Sequence, residues 1–86
     1  MTALQHLVLE SVHRLDVADS DKIREYVGQM MGHEVVDERV SATLENLLEK
    51  ELLSCSENAS GNKVVRSYRL TSGGDLFFSA TTAATQ

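Results

Sequence analysis

The chain has 86 residues, 42% of them hydrophobic, with one cysteine and a formal net charge of −5 at pH 7. That length suits one domain burying only about 60–65% of its unfolded surface, and a single cysteine excludes an internal disulfide. The longest apolar stretch, Leu7-Val8-Leu9, is far short of the ~20 residues a membrane span needs. No basic-then-apolar segment opens the chain as a signal peptide would, so a reducing, cytoplasmic setting away from membranes is expected.

Charge is unevenly spread. Residues 1–58 carry five Lys/Arg against twelve Asp/Glu, whereas residues 59–86 carry Lys63, Arg66 and Arg69 against Asp75 alone. Ala3, Leu4, Leu7, Val8, Val12 and Leu15 recur at helical spacing and predict a first helix over about 2–14, with Leu9 off the main stripe. Asp19 or Ser20 can cap a second helix in which Ile23, Tyr26, Val27 and Met30 or Met31 face inward, ending near Gly32. A third helix is expected from Asp37 to about Glu51, with Val36, Val40, Leu44, Leu47 and Leu48 buried.

From Leu52 the pattern changes. Residues 52–56 read as a short strand and 58–62 as a polar turn, and 63–70 alternate, with Val64, Arg66, Tyr68 and Leu70 on one face. The pair is a β-hairpin. Residues 71–74 then turn into a last short helix over about 75–80, expected to bury Leu76 and one of Phe77 or Phe78, and 81–86 are expected to form a frayed tail. This is an α+β layout, a winged helix over residues 1–80: a three-helix helix-turn-helix core, a two-stranded wing and a short C-terminal helix.

Two blocks carry a family resemblance. VSATLENLLEKELL, residues 40–53, resembles the recognition helix and first wing strand of MarR-like and PadR-like bacterial regulators, and RSYRLTSGG, residues 66–74, resembles their tyrosine-bearing second wing strand and Leu-Thr-x-x-Gly turn. One departure stands out: Glu51 occupies the place where such regulators usually carry the glycine that ends the third helix. The resemblance implies a transcriptional regulator that binds double-stranded DNA as a homodimer, its third helix in the major groove and its wing on phosphates or in the minor groove. Carried over by position, it implies Arg39, Ser41, Ala42 and Asn46 on the helix, and Asn62, Lys63 and Arg66 on the wing, as DNA contacts. Leu9, Leu76, Phe77 and Phe78 are the residues left to build a dimer.

Each reading has an ordinary counterpart. Asp37, Glu38, Glu45 and Glu49 share the third helix with the candidate base readers; they are either a solvated surface or the contact face of a winged helix that binds a protein instead of DNA. Cations on a hairpin also discourage edge-to-edge aggregation. His6, His13 and His33 lack metal-ligand spacing, Cys55 has no basic neighbours in sequence that would activate it, and Met30 and Met31 read as core filler. Gly73-Gly74 is followed by no phosphate-loop lysine, and no nucleophile–base set stands out. Neither catalysis nor a cofactor is expected.

Overall fold

A computed structural model describes the backbone of residues 2–84. The elements run α1 (Ala3–Leu15), β1 (Ala18–Asp19), α2 (Ser20–Met31), α3 (Asp37–Glu49), β2 (Leu53–Ser60), β3 (Lys63–Leu70) and α4 (Ser72–Ala84). α1 starts on a capping box: the Thr2 hydroxyl accepts from the Gln5 amide, and the Gln5 side chain returns to the Thr2 amide, so two orphan donors of the first turn are satisfied at once. The helix packs against α2, α3, α4 and β3. That central position explains why Val8, Leu9 and Val12 are all fully buried. Leu9, off the main stripe in the sequence, is therefore core and unavailable to a second copy.

Asp16 ends α1 at φ 66° and ψ −57°, with the Val17 amide bonded to the Leu15 carbonyl at 2.7 Å. This is a γ-turn of the rare, strained hand, and it swings the chain into β1. β1 pairs antiparallel with β3 through Ala18↔Tyr68 and Asp19↔Ser67, giving a three-stranded sheet in the order β1-β3-β2. A strand of two residues has no periodicity for a sequence to display. The Asp19 carboxylate then accepts from the Lys22 amide at 2.8 Å and caps α2, which ends at left-handed Gly32, φ 76°.

The core joins Val8, Leu9, Val12, Ile23, Val27, Val40, Leu44, Leu47, Leu53, Tyr68 and Phe78, with Ala18 and Val35 at its edges. Several expected members lie outside it. Met30 is 55% exposed and Met31 38%, because Ile23 and Val27 already fill the inward face of α2; Val36 is 61% exposed because it precedes α3 as its N-cap. Leu15, the last residue of α1, is also exposed.

α3 closes with the Glu51 amide on the Leu48 carbonyl and the Leu52 amide on the Leu47 carbonyl, both at 3.0 Å, the bonding of a Schellman motif. Glu51 takes the left-handed position there, φ 59°, in place of a glycine. The hairpin that follows is longer than its sequence suggests: β2 runs to Ser60, and the turn shrinks to residues 61–62, with Gly61 at φ 62°, the first central position where a type II′ turn calls for glycine.

α4 is also longer than expected. The Thr71 hydroxyl donates to the Glu51 carbonyl at 2.6 Å and accepts from the Gly74 amide at 2.9 Å, so it caps α4 and ties it to the end of α3. Phe78 is buried, stacked on His6 and tilted against His13 at centroid distances of 5.4 and 4.8 Å. Leu76 is 73% exposed, contrary to expectation: Gly74 and Phe78, four residues apart, define the inward face, and Leu76 falls on the opposite one. Of the expected tail, residues 85 and 86 lie outside the described residues.

Candidate nucleic-acid interface

α2 and α3 share the core through Ile23, Val27, Val40 and Leu44, and on the surface Arg24 reaches Asp21 in its own helix at 3.5 Å and Asp37 at the start of α3 at 3.6 Å. With Val40, Leu44 and Leu47 buried, the helical repeat turns Glu38, Ser41, Ala42, Glu45 and Glu49 outward as one exposed stripe. Of the helix residues proposed from sequence, Ser41 and Ala42 sit in that stripe. Arg39 and Asn46 lie about a quarter turn away, beside the start of α1, where Leu4, Gln5, Met31, Arg39, Thr43 and Asn46 help to line an open groove of about 480 Å³.

Asn46 is already engaged. Its Oδ1 accepts from the Gln5 side-chain Nε2 at 3.0 Å in a partly buried contact, so a carboxamide that would need both ends for a bidentate adenine contact has one end committed within the fold. Gln5 was not singled out in the sequence, yet Thr2-Ala3-Leu4-Gln5 has the spacing of a capping box, which is the signal that would have placed it.

Residues paired across the hairpin share a face. Leu70/Leu53, Tyr68/Cys55, Arg66/Glu57 and Val64/Ala59 form the face that begins in the core and continues outward; Arg69/Ser54, Ser67/Ser56, Val65/Asn58 and Lys63/Ser60 form the other. The three wing cations are therefore split, Arg66 on the first face and Lys63 and Arg69 on the second. Asn62, Lys63 and Arg66 are all exposed, and so is Val64 between them, at 65%. The outer half of the hairpin stands clear of the helices.

Arg66 is held. Its Nε donates to Glu57 Oε1 at 3.1 Å, and the Tyr68 hydroxyl and then the Glu57 carboxylate push its pKa up. Burial raises the Tyr68 pKa in turn, against the lowering influence of Arg66. Cys55 is exposed next to Tyr68. Among the described residues no three His, Cys, Asp or Glu side chains converge as metal ligands, and no helix is long and apolar enough to cross a membrane.

Solved structures show which fold this is. RosR of H. salinarum superposes with a TM-score of 0.88 over 99% of this chain and 74% of its own, at 24% identity. PadR of Bacillus subtilis in complex with operator DNA superposes at 0.81 over 94% of this chain and 47% of its own, at 17% identity. In fold, the chain is a PadR-like winged helix. A third similar structure is BpsR of Bordetella bronchiseptica, whose DNA binding is regulated by 6-hydroxynicotinic acid, with a TM-score of 0.81, 18% identity, and 96% of this chain against 58% of its own. No protein-family model and no curated protein matches the sequence. In this winged helix α2 and α3 are the helix-turn-helix, β2 and β3 are the wing, and β1 supplies the third strand of the sheet.

Proposed function

We propose that this winged helix is a small transcriptional regulator, not an enzyme, that binds double-stranded DNA in the cytoplasm as a homodimer. The observation that carries the reading is the projecting wing, with Lys63 and Arg66 exposed beyond the body of the domain. α3 enters the major groove with Ser41 and Ala42 foremost and Arg39 at its flank, while Asn62, Lys63 and Arg66 meet phosphates or the minor groove. Asn46 serves first as a strut to α1 and contacts DNA at most through its free amide hydrogens. A two-fold pair doubles the few cations one copy offers, and the exposed Leu76 of α4 lies on the face open to a second copy.

The test is an anisotropy titration with random duplex at two salt concentrations. Lys63→Ala with Arg66→Ala should weaken binding to all sequences and reduce the salt slope by about two; an unchanged affinity and slope removes the wing from the interface. A second reading is favoured by the outer stripe of α3, where Glu38, Glu45 and Glu49 flank Ser41 and Ala42. There the domain is an interaction module, its acidic helix meeting a basic protein partner.

A further inference from the structure

The wing cations differ in one respect. Among the described residues no carboxylate pairs with Lys63 or Arg69, whereas Arg66 faces Glu57 across the hairpin in direct register, at 3.1 Å, with both side chains more than half exposed. An incoming phosphate seeks the same guanidinium from the same side of the sheet. We propose that Glu57 is an internal competitor for the phosphates, a positioning residue that holds Arg66 on the wing surface and lowers the affinity of the domain for duplex of arbitrary sequence. The inference rests on the DNA-binding reading of the wing.

The geometry makes Glu57 a competitor and not a lock. Nε donates to Glu57 and the Tyr68 hydroxyl lies on the same face, so a phosphate meets the guanidinium through the Nη hydrogens that these two do not take up. Two anions then crowd one cation, and the carboxylate must be pushed aside or tolerated. Because the pair is solvent-exposed its strength is small, so contact with DNA can displace it at modest cost. A regulator needs this, since affinity for arbitrary DNA sequesters it from its own site. Trimming one cation of a short wing acts on that background term and leaves the base contacts of α3 alone.

Four proteins test the idea against random duplex at two salt concentrations: wild type, Glu57→Gln, Arg66→Ala and the double variant. Glutamine keeps the size of the side chain but not its charge. Glu57→Gln should bind about two- to fivefold tighter, with a salt slope steeper by only a fraction of one phosphate contact, and its melting temperature should stay close to that of the wild type. In the Arg66→Ala background the gain should disappear. An equal gain in that background would make the effect a general loss of negative charge and overturn the proposal, as would the absence of any gain. A wild type that binds no duplex even at low salt removes the DNA reading and this role together; a wild type that binds, with no gain from Glu57→Gln, removes only the role.

Discussion

Glu51 carries the left-handed turn that ends α3, and an L-residue with a Cβ is strained there. The strain costs about 1–2 kcal/mol, and a glycine would relieve it while adding about 0.5–1 kcal/mol of chain entropy to the unfolded state. Relief is the larger effect, so Glu51→Gly should stabilise the domain by about 0.5–1 kcal/mol and raise the melting temperature by roughly 2–8 °C. A fall in melting temperature would mean that the Glu51 side chain stabilises the turn in a way its backbone does not reveal. The exception at this residue was visible in the sequence, as a glutamate in a glycine's place; its resolution was not, because nothing local tells a strained cap from a helix one residue longer. Asn46 is the opposite case. Its type and helix position suit adenine, but the bond from Gln5, 41 residues away in sequence, is a tertiary contact that no local pattern announces.

At the scale of elements, the Leu-Thr-x-x-Gly turn is explained by what meets there. A Cβ at Gly74 would sit 1.9 Å from the Leu52 carbonyl oxygen, whereas one at Gly73 would have the Thr71 hydroxyl 3.8 Å away, an ordinary van der Waals contact. Helix propensity alone favours alanine over glycine at both by up to about 1 kcal/mol. Sterics reverses the sign at one of them. Gly74→Ala should destabilise by about 1–3 kcal/mol, as overpacking does, because the start of α4 must move off the end of α3; Gly73→Ala should be neutral or slightly stabilising. Thermal melts of the two variants check this, and equal melting temperatures would show that α4 is not docked on Leu52. The helical elements were legible in sequence because α1, α2 and α3 each bury a stripe of regular period. The outer half of β2 was not, since Glu57, Asn58 and Ala59 are all exposed and a strand solvated on both faces has no apolar alternation to read. The phase of α4 was missed for a related reason: Leu76, Phe77 and Phe78 are adjacent, and Gly74 against Leu52 is what selects Phe78.

For the molecule as a whole, the tension is between a fold shared with a regulator solved on operator DNA and a surface of net charge −5. The wing is where cations project, and the outer stripe of α3 is where carboxylates do; the two functional readings assign the stripe opposite roles. If α3 approaches the major groove, Glu38 and Glu45 stand near phosphates and repel them, each by up to ~1 kcal/mol at 4 Å in water and progressively less toward the Debye length of about 10 Å. Replacing both by glutamine keeps their shape and helix propensity close to the original while removing two charges, so the duplex affinity of Glu38→Gln/Glu45→Gln should rise by about three- to tenfold at low salt and converge on the wild-type value as salt increases. If α3 instead meets a basic partner, the same two charges steer and hold that partner, and the double variant loses it while its weak contact with DNA hardly matters. Titrating random duplex into wild type and variant at low and high salt separates the readings: a gain confined to low salt supports the recognition helix, and no measurable duplex binding by either protein at low salt rejects it in favour of the interaction module.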